Sequence, residues 1–388
     1  MKTVVKRAML FSAIVMFSVS FALVGCEQFG SIPQGEYLSE ARQSPQYDPD
    51  RQIFVNRRPD ILDTMTVWQR FWADPFGSDE PNFLFNSNQT EPAAPLPEDR
   101  SPDFSVFTQS DTDLKFIWLG HSTLLVSLDG RTILIDPIFS DYASPFAGIA
   151  RRFQPPALNI DELPPIDYIV ISHDHYDHLD MDTIKYFIGE DISFLAPMGV
   201  GSHLRYWGIK DENITELNWW EGASLGGITF TATPSQHFSG RIGVIHNNKT
   251  LWASWVIQGQ TRSLFFSGDS GYDTHYQEIG SKFGPFDVVF MENGQYDQGW
   301  KAVHNLPEEA LKGFLELGGE YLVPIHWGMF NLAVHNWYDP PDEITRLAKD
   351  ADVKLITPRF GQLVSTDNPP LFDQWWVPLK PAEQESLQ

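Results

Sequence analysis

The sequence predicts an α/β protein in which helices cover packed β-sheets, and three observations lead there. From Leu114 onward, short β-branched and aromatic runs follow one another, each bounded by Gly, Pro or Asp. Helical patterns are few, and the clearest ones come late in the chain. A composition of 42% hydrophobic and 14% aromatic residues over 388 positions can fill a large core.

The strand runs are "KFIWLG", "STLLVSLDG", "TILIDP", "YIVIS", "ISFLAP", "ITFTATP", "LWASWVIQ", "SLFFSGD", "FDVVFME" and "YLVPIH". "IDYIVIS" is apolar without alternation, as expected of a strand buried on both faces. "NLPEEALKGFLELGG" predicts a helix. Pro307 and two glutamates open it, Gly318 stops it, and Ala310, Leu311, Phe314 and Leu315 share one face. "PDEITRLAKDA" reads the same way. No internal repeat recurs at a fixed period. Residues 26–110 read as an N-terminal extension and linker, typified by "SNQTEPAAPLPEDRSPD". Within it Trp68, Phe71 and Trp72 predict a short helix packed on something larger. Residues 111–388 form the expected main domain.

The first 25 residues read as an export signal. Lys2, Lys6 and Arg7 precede the apolar run Ala8 to Val24, which is short for a spanning helix and interrupted by Ser12, Ser18 and Ser20. Cys26 is the single cysteine, so the chain forms no internal disulfide. "LVGC" resembles the bacterial lipobox, which implies a lipidated Cys26 as the mature N-terminus. The expected location is then the bacterial cell envelope, with the protein held to a membrane through its N-terminal lipid. Loss of the three cations would take the net charge from −24 to −27. Such an acidic chain is ill suited to nucleic acid, whose phosphates need a surplus of Lys and Arg.

The strongest chemical signal is "VISHDHYDHLDM", directly after the buried run. His173, His175, Asp177 and His178 sit in and just after a turn, where side chains converge instead of alternating. Neutral imidazoles and a carboxylate suit zinc, and the motif offers two pairs, enough to begin two sites. His237 in "PSQHFSGR", Asp269 in "FFSGDSGY" and His326 in "VPIHWG" each follow a strand run, which could bring them to one edge of the sheets.

The order His-x-His-x-Asp-His, His, Asp, His resembles the metallo-β-lactamase superfamily. "WLGHSTLLV", "ILIDPIFSD", "PSQHFSGR" and "HWGMF" are similar to its branch of N-acyl-phosphatidylethanolamine-hydrolysing phospholipase D and related bacterial lipoproteins. The resemblance covers about Leu114 to Leu363. It implies a four-layered αββα sandwich and two Zn2+ per chain. His173, His175 and His237 would hold one ion and Asp177, His178 and His326 the other, with Asp269 bridging. "MENGQYDQGW" (Met291 to Trp300) departs from the Gly-Ala-Tyr pattern of that branch.

Two such ions would share a hydroxide and clamp a phosphoryl group. Asp177, through the metal it would hold, and His304, a potential proton donor or phosphate contact, are the candidate catalytic residues. Asp136 is read as the acid that fixes a ligand imidazole through its other nitrogen, and His121 as a similar supporting residue. His203, His246, His275 and His335 read as surface or packing histidines. Arg151 and Arg152 could together grip a phosphate. Trp375 and Trp376 read as core packing or a lid. The expected activity is hydrolysis of a phosphodiester such as N-acyl-phosphatidylethanolamine, on a small-molecule or phospholipid substrate. The alternatives are opening of a lactone or amide at the same metals, and a non-catalytic envelope lipoprotein.

Overall fold

Two seven-stranded sheets collect the strand runs. The computed structural model describes residues 27–65, 88–242 and 246–381. Cys26 and the Trp68, Phe71 and Trp72 cluster lie outside the described residues. A short hairpin-like pair, β1 (Tyr47–Asp48) and β2 (Ile53–Phe54), precedes the sheets. The first sheet contains β3 (Lys115–Gly120), β4 (Thr123–Leu128), β5 (Arg131–Ile135), β6 (Tyr168–Val170), β7 (Ser193–Pro197) and β8 (Ile214–Leu217) in spatial order. The second contains β9 (Gly222–Leu225), β10 (Ile228–Thr233), β11 (Ser254–Gln258), β12 (Ser263–Phe266), β13 (Phe286–Glu292), β14 (Gly319–Ile325) and β15 (Lys354–Leu355). Strand β16 (Leu363–Ser365) returns to pair with β3. Each sheet begins antiparallel and ends parallel, with the change at β5–β6 in one and β12–β13 in the other.

Side-chain alternation assigns the layers. Phe116 and Trp118 of β3 join the core between the sheets, with Phe230, Trp255, Phe266 and Phe290 from the second sheet. Ile117 and Leu119 point the other way, under the helices Met181–Tyr186 and Gly201–Trp207. On the far side, Val256, Phe265 and Val289 lie beneath the helices His275–Phe283, Pro307–Leu317 and Asp339–Asp350. The order is helix, sheet, sheet, helix, the αββα sandwich. Trp118 is fully buried, and its truncation to Ala would cost about 3–5 kcal/mol.

The helix Pro307–Leu317 forms as the sequence predicts, with Gly318 at φ 71° closing it. Its buried face is different: Ala310, Gly313, Phe314 and Leu317 face inward, whereas Leu315 is 55% exposed. Gly313 explains the rotation, because a Cβ there would meet the Tyr276 ring at 2.8 Å. Close approach of the neighbouring helix, not the leucine pattern, sets the orientation. Trp375 and Trp376 are buried, and Trp375 stacks on Trp327, so they are core residues. Arg151 is exposed, whereas Arg152 is buried and donates to the carbonyls of Ile138 (2.6 Å) and Ser140 (3.2 Å). The expected pair of phosphate-gripping guanidiniums is therefore not formed.

The N-terminal segment is fastened to the sandwich. The Asn56 side chain donates to His237 O (2.7 Å) and accepts from His237 N (3.1 Å). Arg241 donates to Gln28 O, and Ser31 N donates to His203 Nδ1. His203, His246 and His275 are buried packing residues, with His203 hydrogen-bonded to Asp174 at 3.1 Å, and His335 is half-buried against Tyr296.

Candidate metal centre

The strand ends converge on one edge. His173 follows β6, Asp136 follows β5, His237 follows β10, Asp269 follows β12 and His326 follows β14. His121 occupies the turn between β3 and β4. After His173 the backbone folds into a turn in which His178 N and Leu179 N both donate to His175 O, and this swings Asp177 and His178 back toward the strand ends. His121, Asp136 and His326 hold left-handed backbone, with φ of 52°, 41° and 69°. Such conformations in residues with side chains persist only where the surroundings enforce them, and they cluster at functional sites.

Two groups of donor atoms result, joined by one carboxylate. In one, His178 Nε2 and His326 Nε2 each lie 3.2 Å from Asp269 Oδ1 and 3.4 and 3.3 Å from Asp177 Oδ2. In the other, His175 Nδ1 lies 2.9 Å from His173 Nε2 and 3.2 Å from His237 Nε2. Asp269 Oδ2 stands 3.8 and 3.7 Å from those two ring nitrogens. A tetrahedral ion bound at about 2.0–2.1 Å spaces its donors by about 3.3 Å. Both groups match that spacing, and Asp269 offers a different oxygen to each. His178 Nε2 and Asp269 Oδ1 are buried with no hydrogen-bond partner, although they face each other. Buried polar atoms without partners are costly, so this donor set fits metal ions. The cluster is able to bind metal.

Supporting contacts fix the rings. Asp136 is fully buried and takes His178 Nδ1 at 2.7 Å, while its carboxylate also accepts from Ser172 N and Oγ. Ser172 Oγ lies 2.9 Å from His173 Nδ1, and Val303 O lies 3.0 Å from His237 Nδ1. His121 Nε2 lies 2.8 Å from Asp177 Oδ2, and its donor atoms fall within the group of Asp177, His178 and His326. His304 reaches the site too: its Nδ1 is 2.9 Å from Glu292 Oε1, and its ring stacks on His326. Above these groups opens a pocket of ≈ 260 Å³, where Met65, Phe238, Trp300 and Leu332 supply apolar wall beside His304.

The electrostatics separate the two groups. Burial, reinforced for His173 by His178 and His175, holds His173 and His237 well below the ordinary histidine range. Burial also lowers His175, and it takes His121, facing His326, down to about 3. For His326 burial is outweighed by Asp269 and Asp177, which hold the ring up at about 9, and His178 is raised well above its usual value by the same carboxylates. Burial pushes the Asp136 carboxyl up, whereas His178 outweighs burial to keep Asp177 and Asp269 well below the usual carboxylate range.

Residues 131–327 match the β-lactamase superfamily domain. The chain belongs to the β-lactamase superfamily. An uncharacterised protein of Mycobacterium tuberculosis is 40% identical over 348 residues, 87% of this chain and 88% of that one. The N-acyl-phosphatidylethanolamine-hydrolyzing phospholipase D 1 of Caenorhabditis elegans is 34% identical over 273 residues, covering 66% of this chain and 76% of that protein. Among solved structures, a metallo hydrolase from Ignicoccus hospitalis superposes with a TM-score of 0.51 at 21% identity, over 66% of this chain and 98% of that one, a likeness of fold. These relatives make the chain a hydrolase of that superfamily, and it carries His/Asp groups able to hold metal.

All seven predicted donors, together with His121, Asp136 and His304, meet at this edge. Two participants were not anticipated. Glu292, at the end of "FDVVFME", had the same signal as Asp269 and His326, an acid closing an apolar strand. Asn56 carried no signal, because its partner is backbone 181 residues away.

Proposed function

We propose that this chain is a di-zinc phosphodiesterase of the phospholipase D type, acting on N-acyl-phosphatidylethanolamine or a close phospholipid. The observation that carries this reading is Asp269, whose two oxygens face two separate histidine groups. The named Caenorhabditis elegans relative supports the substrate class. His173, His175 and His237 would hold one ion, and Asp177, His178 and His326 the other. When bound, such ions supply Lewis acidity toward a phosphoryl oxygen and lower the pKa of coordinated water to about 7. Asp136 keeps His178 in one orientation, and His121 does the same for Asp177. A water oxygen bonds to phosphorus as the P–O bond to the alcohol breaks, and His304, at the pocket wall, would give that alcohol oxygen its proton. The products would be phosphatidate and the N-acylated amino alcohol. The apolar wall formed by Met65, Phe238, Trp300 and Leu332 suits an acyl chain.

We further propose that residues 1–25 are removed and that Cys26 is lipidated, tethering the mature chain to the envelope. No helix among the described residues is long and apolar enough to cross a membrane. Cys26→Ser should release the protein from the membrane fraction or leave it uncleaved.

The decisive experiment is metal analysis of the purified protein with a hydrolysis panel of bis-p-nitrophenyl phosphate, phospholipids and lactones. About two zinc ions and phosphodiester turnover are expected. Efficient lactone turnover by fully zinc-loaded protein, with neither phosphodiester cleaved, would overturn this reading in favour of the lactone hydrolase.

A further inference from the structure

Glu292 is the last residue of β13 and is fully buried. It falls in the segment that departs from the phospholipase D branch, so the resemblance assigns it nothing. Its contacts are specific. Oε1 lies 2.9 Å from His304 Nδ1 and 3.7 Å from His326 Nδ1, while Oε2 accepts from Asn305 N at 3.0 Å. Ser267 Oγ fixes the backbone from behind by accepting Glu292 N at 2.9 Å, and Asn305 is held in turn by the Tyr276 hydroxyl at 2.8 Å. The two imidazoles on Oε1 lie nearly parallel, with centroids 5.3 Å apart and planes at 13°.

We propose that Glu292 is a positioning residue that sets His304 and His326 as a pair. Its Oε1 takes the Nδ1–H of His304 and faces Nδ1 of His326, which leaves both Nε2 atoms on the side of the site. For His326 that side is visible, since Nε2 lies within 3.3 Å of Asp177 Oδ2 and Asp269 Oδ1. For His304 the same orientation turns Nε2 into the pocket whose wall it forms. A carboxylate is needed because it only accepts. An amide or hydroxyl at this depth could present a donor to Nδ1 and release the ring into its other tautomer. The hydrogen bond from Asn305 N alone would satisfy a purely structural carboxylate; the His304 hydrogen bond to the other oxygen, with His326 Nδ1 buried 3.7 Å away and without a hydrogen-bond partner of its own, is what that role leaves unexplained. Held this way His304 keeps its Nδ1 proton on Glu292, so the proton it gives to the leaving alcohol is a second one carried on Nε2, and one carboxylate couples this histidine to a proposed metal ligand.

The inference rests on the proposed function for its kinetic part and on geometry alone for its spectroscopic part. The test uses full-length protein as wild type, Glu292→Gln, His304→Gln and the double variant, with Glu292→Asp as the conservative replacement. Ring 15N spectra of histidine-labelled protein report the tautomers, zinc per chain reports the metal, and bis-p-nitrophenyl phosphate turnover reports kcat and KM. In Glu292→Gln, kcat should fall about 10–100-fold with KM little changed. The His304 signal should lose its Nδ1-protonated signature. In the His304→Gln background the same substitution should cost markedly less than its full loss of about 10–100-fold, leaving only the share that acts through His326, because residues acting through one another are not additive. Glu292→Asp should recover part of kcat, and it carries the test if Glu292→Gln fails to fold. An unchanged His304 tautomer in Glu292→Gln, or a full additive loss in the double variant, overturns the proposal. If wild type cleaves no phosphodiester, the functional reading fails, and the 15N spectra still decide the role of Glu292.

Discussion

The two donor groups at the sheet edge are built from similar residues and differ in charge. His173, His175 and His237 form an imidazole group whose ring nitrogens are held by a hydroxyl and a carbonyl, with Asp269 Oδ2 no closer than 3.7 Å. His178 and His326 sit among carboxylates, with Asp177 and Asp269 at 3.2–3.4 Å and Asp136 and Glu292 behind the rings. Crowded, buried imidazoles shed protons, while imidazoles facing carboxylates keep them. One group is thus ready for a cation as it stands, and the other must first release protons to accept one.

Asp269 belongs to both groups, so breaking it should have the largest effect. Asp269→Asn is expected to reduce activity to background and to lower zinc below about one per chain, measured by elemental analysis of the dialysed protein. His175→Ala removes a donor from the imidazole group only. Zinc should fall from about two to about one per chain with activity abolished, and retention of both ions and full activity would refute the ligand assignment. Asp136→Asn leaves all donors in place and loosens one ring, so a loss of about 10–100-fold in activity or zinc affinity is expected in the carboxylate-rich group. Zinc titration of that variant should show the larger loss at the carboxylate-rich group, because Asp136 reaches the imidazole group only indirectly, through Ser172 and His173.

The contrast in charge predicts a contrast in pH response. His326 carries its proton up to about pH 9 in the metal-free protein, so a metal must displace it at neutral pH. Affinity at the carboxylate-rich group should therefore fall about tenfold for each unit of pH below 9 on account of that proton. His173 and His237, lowered by burial, have no proton to give up at pH 7, and their group should show little such dependence. Calorimetric titrations in buffers of different ionisation enthalpy would count the protons at each step. Equal release at both steps would erase the distinction.

The smallest effect on the metals is expected away from both groups. His203 is buried between Ser31 N and Asp174, whose carboxylate also accepts from Gly240 N and Thr250 Oγ1. His203→Ala should lower stability by about 1–3 kcal/mol by leaving these groups unpaired, with zinc content unchanged. A lost zinc ion in that variant would show that the network reaches the site.

The sequence by itself determined the strand runs, the turn that gathers His173, His175, Asp177 and His178, and the donors His237, Asp269 and His326. These are legible because each depends on short-range order: a strand's apolar composition, a turn's spacing, a ligand type at a strand end. Only the tertiary structure decided which oxygen of Asp269 meets which group. That separation depends on the register of strands whose residues lie about 30 to 100 positions from Asp269, where a few tenths of an ångström distinguish a contact from a ligand set. The same holds for Glu292, whose partners come from two later segments, and for Asn56, which holds His237 by its backbone. Packing also reversed two readings made from local pattern. Gly313 against Tyr276 turned Leu315 outward, and the carbonyls of Ile138 and Ser140 claimed Arg152 before any phosphate could. In each case a long-range neighbour competes for the side chain, and no spacing along the chain records that neighbour.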